Sequence, residues 1–301
     1  MKYSQIAPLA ALLMITLAPA QAQTPDQQRT WEELREAERQ LAERSRTLGL
    51  NEGFLGSLGE AAVVFRGGPV DARTVFVPLD PNEDSIATFE SRANYIDFAR
   101  AGDIGLTTGP YRFISGDGDE QRRSHGHIVT IWRKFDEEWR ILADMAVRVP
   151  GVLSLDIEPD IAETMQTLSE AAGPELTKDN DLASLEEAEE RFISSINFRG
   201  GRRAIARYGL DNQRIYVPGM APGIGVSTGS TVYGAFLEDR LSISTISYEL
   251  SGSFISKSGD VGYTYGTMTA EGSGFETSYL RYWRFTKAGE WRVAVEVLVP
   301  H

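Results

Sequence analysis

Two stretches of the chain nearly repeat each other. Gly102 to Gly109 reads GDIGLTTG, and Gly259 to Gly266 reads GDVGYTYG. Other landmarks recur at nearly the same spacing. Thr30-Trp31-Glu32-Glu33 matches Ser184-Leu185-Glu186-Glu187, Trp132-Arg133 matches Trp283-Arg284, and Trp139-Arg140-Ile141 matches Trp291-Arg292-Val293. Each half ends on Val-Pro, at Val149-Pro150 and Val299-Pro300. Internal repetition over this length means one domain written twice. The 301 residues are also enough for two ordinary domains.

The first residues stand apart from that repeat. Lys2 is the only charge before Asp26, residues 6–18 are apolar, and Ala20-Gln21-Ala22 follows. A basic start, a short apolar run and an A-x-A site form a secretory signal peptide. A membrane anchor needs about 20 apolar residues, and Pro8, Pro19 and Gln21 leave too few. The expected product is a periplasmic or secreted protein cut after Ala22, with no membrane segment left. There are no cysteines, which removes disulfides, thiol nucleophiles and Cys-ligated metals. The formal net charge is −13. An acidic surface without a basic stripe argues against nucleic acid and anionic lipid as partners.

Each half reads in the same order. A long helix opens on a capping box, at Thr30 or Ser184. A short helix, a short strand with a Gly/Pro turn and a brief helical segment follow. Four hairpin strands then fall near 88–100, 104–114, 125–135 and 139–149, and again near 242–256, 261–269, 277–285 and 291–299. Trp139, Ile141, Ala143, Met145, Val147 and Val149 alternate along the last strand, as do Trp291, Val293, Val295, Val297 and Val299. Those faces are expected to meet the helices. Residues 30–150 form the first domain, 151–183 a structured linker with a short helix near 160–172, and 184–301 the second domain. The G-D-x-G stretch is a tight turn, with Gly102 and Gly259 at positive φ and Asp103 and Asp260 bonding the turn backbone. Gly105, Gly109, Gly262 and Gly266 inside the next strand suggest a bulge, a bend or a close approach.

The element order, with G-D-x-G-x-T-x-G, then W-R, then W-R-[IV], resembles the nuclear-transport-factor-2-like, or SnoaL-like, superfamily. The pattern looks like its ketosteroid-isomerase-like bacterial branch of unknown function. The resemblance implies an α+β fold of two tandem cone-shaped domains, each with N-terminal helices on a strongly curved antiparallel sheet. It also implies a pocket between sheet and helices, and a habit of dimerising through the sheet. The two halves of this chain would then pack as an internal pseudo-dimer. The superfamily holds isomerases, dehydratases, cyclases, binding domains and assembly domains on one scaffold.

The chemistry is less marked. His125 and His127 share one strand face, a spacing that serves a metal or a general base. Asp144 and Asp97 are the candidate further ligands, and solvated histidines are the plainer alternative. Asp144 and Glu296 each sit five residues after a Trp, opposite the apolar stripe. Such a carboxylate carries protons if buried, or is a solvated partner of Arg140 or Arg292. His127 and Asp144 are the candidate catalytic residues. Tyr95, Trp132, Tyr263, Tyr265, Tyr282 and Trp283 are the candidate walls for a small apolar ligand, with core packing as the alternative. The tip at 117–120 has a calcium-like look but lacks the EF-hand loop pattern. No metal or cofactor is expected. The leading reading is a binding or assembly module without assured catalysis. The alternative is an isomerase, dehydratase or cyclase using a pocket carboxylate or His as base.

Overall fold

The computed structural model describes residues 25–77, 87–116, 121–173, 175–241, 245–270 and 272–301. Residues 1–22, the expected signal peptide, and the tip at 117–120 lie outside them. The first half holds α1 (Pro25–Leu48), α2 (Leu50–Leu55), β1 (Leu58–Phe65), β2 (Pro69–Asp71), α3 (Ala72–Val75), β3 (Thr88–Ser91), β4 (Tyr95–Phe98), β5 (Ile104–Ser115), β6 (Arg122–Phe135) and β7 (Glu138–Val149). A connecting helix, α4 (Ile161–Glu170), follows. The second half holds α5 (Leu182–Arg199), α6 (Gly201–Tyr208), β8 (Gly209–Tyr216), β9 (Gly223–Ile224), α7 (Gly225–Leu241), β10 (Ile246–Ile255), β11 (Val261–Ala270), β12 (Phe275–Phe285) and β13 (Trp291–Pro300). The two halves are internally similar α+β units, each a sheet layered with helices.

The sheets correct the expected cone. One runs β2-β1-β7-β6-β5-β3, with β4 also on β5, and the other runs β10-β11-β12-β13-β8-β9. Both are open paths with two free ends, and neither is strongly curved or closed. They are also mixed, because β1 pairs parallel with β7 and β8 parallel with β13. Close approach holds for all four strand glycines, and Gly266 also sits opposite a bulge in β10, where the register shifts between Leu250 and Gly252. The β5–β6 ladder runs unshifted from Ile104 to Ser115, through Gly105 and Gly109. All four glycines make room for a neighbour. A Cβ on Gly105 would sit 2.5 Å from Leu34 of α1, and one on Gly262 2.5 Å from Leu185 of α5. A Cβ on Gly109 or Gly266 would strike the carbonyl of Arg92 or Glu249 at 1.9 Å. The first hairpin strand of the first half also breaks in two, into β3 and β4, around Arg92, Ala93 and Asn94.

The helix starts differ as well. Thr30 lies inside α1 and donates to the Asp26 carbonyl. Asp181 is the cap of α5, accepting from the Ser184 N–H at 2.9 Å. The Leu34/Leu185 contacts with Gly105 and Gly262 set the true correspondence of the two helices, three residues off the Thr30/Ser184 match.

A bulge in each sheet decides which side chains face which layer. The register shifts between Ile131 and Trp132 on β6, and between Tyr282 and Trp283 on β12. Such a shift reverses the in–out alternation beyond it. The apolar stripe of each last strand is therefore split. Ile141 packs under the first half's helices with Trp31, Leu34 and Trp132, and Val293 packs under the second half's with Phe192 and Trp283. Ala143, Met145 and Val147 turn to the opposite face, where they share one buried cluster with Val295, Val297 and Leu280. That third cluster draws on both halves, and we call it the seam.

Candidate functional site

The repeated Gly-Asp turns meet each other at the edge of the seam. Gly102 and Gly259 adopt φ 65° and 64°, the left-handed region that favours glycine. The Asp103 carboxylate accepts from the Lys257 N–H of the other half at 3.0 Å. Asp260 accepts in turn from the Arg100 N–H at 3.2 Å, and the Ala101 N–H donates to Ser258 Oγ at 3.0 Å. Each aspartate thus ties down the other half's turn rather than only its own. Arg284, fully buried, completes the clasp. Its Nε donates to Asp97 at 3.0 Å, its Nη1 to Asp260 at 2.9 Å and its Nη2 to the Phe98 carbonyl at 2.5 Å. Asp97, named above as a metal candidate, is thereby committed to an arginine. Burial pushes its carboxyl up, with Arg284 acting the other way.

The threonine of the motif has a second duty, shared by both halves. Trp132 Nε1 donates to Thr107 Oγ1 at 2.8 Å, and Trp283 Nε1 donates to Thr264 Oγ1 at 3.0 Å. A buried indole N–H needs such a partner. Trp132 and Trp283 are therefore core posts on the helix side, 1% and 0% exposed.

Around these posts the halves diverge. In the second, Arg281 on β12 is fully buried between two carboxylates. Its Nε donates to Glu296 at 2.6 Å and its Nη1 to Glu189 of α5. Thr264 donates to Glu189 at 2.7 Å, and Tyr233 of α7 to Glu296 at 3.2 Å. The guanidinium also lies 4.1 Å over the Tyr279 ring. Burial pushes the Glu296 carboxyl up to about 7 against the pull of Arg281. Arg292, a sequence candidate for its partner, instead reaches the Arg207 carbonyl and Glu290.

In the first half Thr130 takes the place of Arg281, opposite Asp144 in the ladder. Thr130 donates to Asp144 at 2.7 Å, and among the described residues no arginine bonds it. Burial pushes this carboxyl up to about 7. Asp144 is neither on an edge strand nor solvated, since β7 lies between β1 and β6. Arg140 serves the Gly56 carbonyl and Glu138. Glu38 of α1, also buried, accepts from Ser91 at 2.9 Å, and burial raises it too.

His127 is not part of that group. It pairs with Val147 in the ladder and faces the seam, while Asp144 faces the helices. The sheet separates the two candidate catalytic residues. The imidazole sits 5.3 Å from the Tyr216 ring, and neither ring nitrogen has a partner among the described residues. Burial, with the Arg214 charge, pushes it down to about 4. His125 is half-buried nearer the strand end, and among the described residues no group of three potential ligands could hold a metal. Tyr95, Tyr263, Tyr265 and Tyr282 also belong to the seam rather than to a helix-side pocket. Tyr265 meets Phe65 of the first half edge-on at 6.1 Å. The residues missed by sequence reasoning are Arg281, Glu189, Tyr233 and Glu38. The one usable signal was the Thr130/Arg281 difference two residues before each duplicated Trp.

No known family model matches the chain, and no curated protein matches it. Among solved structures, a ketosteroid isomerase-like protein from Erwinia carotovora atroseptica is 20% identical, with a TM-score of 0.33 over 42% of this chain and 98% of that one. A protein of unknown function from Mycobacterium tuberculosis is 14% identical, with a TM-score of 0.33 over 48% and 89%. An NTF-2-like protein of unknown function from Shewanella oneidensis is 10% identical, with a TM-score of 0.30 over 38% and 96%.

Proposed function

We propose that the chain is an exported, tandem protein of the nuclear-transport-factor-2-like superfamily that works through its surfaces, as a binding or assembly module. The two halves act as an internal pseudo-dimer, each supplying the sheet face and Gly-Asp turn that the other needs. The observation that carries this reading is the filled interior of the second half. Arg281, Trp283, Tyr233 and Glu296 occupy the space between sheet and helices at 0% exposure, with Arg281 and Tyr233 donating to Glu296 and Trp283 to Thr264. A substrate has no room among them, because interiors are packed like crystals. Supporting the export reading are the basic, apolar and A-x-A features of residues 1–22. Supporting the superfamily reading is the shared order of helices followed by hairpin strands in both halves.

The test is titration of the full chain with Nile red, a neutral apolar dye. The expected result is no saturable binding. One-to-one binding that is lost on Trp132→Ala or Asp144→Asn would overturn the reading. A second reading has one observation in its favour. Asp144 is a buried carboxyl near neutral pKa that no arginine among the described residues bonds, the state a general base needs. It predicts isomerase- or dehydratase-type turnover of a small carbonyl compound by the first half, abolished in Asp144→Asn.

A further inference from the structure

The corner between α5 and α6 carries a charge opposite to that of the chain. From Arg191 to Leu210 there are five arginines and no Asp or Glu, in a protein of net charge −13. All five are exposed. Arg191 pairs with Glu187 at 2.9 Å, and Arg202 approaches Glu238 at 4.0 Å. Arg199, Arg203 and Arg207 have no carboxylate partner among the described residues. This is the basic stripe that sequence reading did not find, because flanking acids on α5 conceal it in any wide window.

The corner is also hollowed. A depression of about 330 Å³ is walled by Arg191, Arg199, Arg207, Phe198 and Tyr208, with one carboxylate, Glu190, against three guanidiniums. Ser195, 7% exposed, lines it with a hydroxyl that has no hydrogen-bond partner among the described residues. A second depression, of about 420 Å³, shares Arg191, Arg207 and Tyr208 and runs on to Trp291, where Arg292, Asp179 and Glu290 also line it. Two of the guanidiniums lie over aromatic rings, Arg199 at 5.8 Å from Phe198 and Arg207 at 5.9 Å from Tyr208. Phe198 is 85% exposed. The turn that presents it needs Gly200 at φ 82°.

We propose that this groove binds an organic anion, a phosphate or carboxylate group joined to an apolar or aromatic body. Arg199 and Arg207 would hold the oxyanion, with the Ser195 hydroxyl donating to it. Phe198 and Tyr208 would cover the apolar body. Guanidinium forks suit oxyanions better than any other side chain. The site lies outside the sheet–helix interior, so it stands whether or not that interior proves filled. The same chemistry is offered by a free organic phosphate and by an anionic lipid headgroup.

The test titrates the full chain with phenyl phosphate by calorimetry at low salt. In parallel, vesicles of phosphatidylglycerol or of phosphatidylcholine are sedimented with it. A soluble ligand predicts one-to-one binding of phenyl phosphate, tighter than inorganic phosphate. The binding weakens at least tenfold in the Arg199→Ala/Arg207→Ala double variant and a few-fold in Phe198→Ser. A lipid source predicts capture by phosphatidylglycerol alone, lost in the same double variant. Arg122→Ala, an exposed arginine of the first half, should change neither. Exposed positions keep the fold, and unaltered circular dichroism checks this. Failure of both probes, or binding that the double variant leaves intact or that Arg122→Ala weakens equally, overturns the proposal. Nile red reports only on the interior, so the two readings fail separately.

Discussion

Replacing Asp144 with Asn tests the electrostatics of the first half's interior. The carboxyl is pushed up to about 7 from an ordinary value of 3.8, with desolvation as the main cause. A raised acid binds its proton more tightly in the folded chain than in the unfolded one. Its favourable contribution is complete below the unfolded value and is lost as pH rises toward the folded value. Three pKa units correspond to about 4 kcal/mol. Wild-type protein should therefore carry a penalty of that order at pH 8 and almost none at pH 3. Asn mimics the protonated acid and keeps an acceptor for Thr130, so it removes the penalty at high pH only. Urea unfolding across pH 3–8 reads this directly. Asp144→Asn should gain at least about 2 kcal/mol over wild type at pH 8, and the gain should shrink toward zero at pH 3. The difference between the two curves isolates Asp144 from Glu38, Asp97 and Glu296, which are also raised. A variant that loses stability at pH 8, or differs from wild type by the same amount at every pH, would refute the reasoning.

Three further outcomes follow from the clasp, the glycines and the seam. Arg284→Met leaves Asp97 and Asp260 buried without their cation and should destabilise the chain by about 3–5 kcal/mol in thermal unfolding. Gly262→Ala drives a Cβ into Leu185 and should cost about 1–3 kcal/mol, and Leu185→Ala in the same chain should relieve part of it. His127 is depressed to about 4 by burial. Its contribution is present above its ordinary value of 6.5 and is lost as pH falls toward 4, so His127→Phe should flatten the acid side of the stability curve between those values.

Much of the architecture is written in the repeat. The order of helices and strands, the turn at each Gly-Asp and the α+β class can all be read from periodicity and turn residues. Curvature could not be read, because a strand glycine that relieves a clash with Leu34 looks the same in sequence as one that bends a sheet. The facing of β7 and β13 was misread for a similar reason. One bulged residue reverses the alternation, and nothing about Leu142 or Ala294, the extra residues of β7 and β13, marks them in sequence. The polar networks were hidden because their members are far apart in sequence, as Arg284 is from Asp97 and Arg281 from Glu189. Asp103 and Asp260 were recognised as turn residues, yet the N–H groups they serve belong to the opposite half.

The two Gly-Asp turns grip each other within one chain. The absence of cysteine makes this directly measurable. Ala101→Cys and Ser258→Cys place thiols where the Ala101 N–H meets Ser258 Oγ at 3.0 Å. Mild oxidation should give a single monomeric species that has lost both free thiols and runs faster on a non-reducing gel. Thiols that stay free, or bridges formed only between separate chains, would contradict the packing of the two halves.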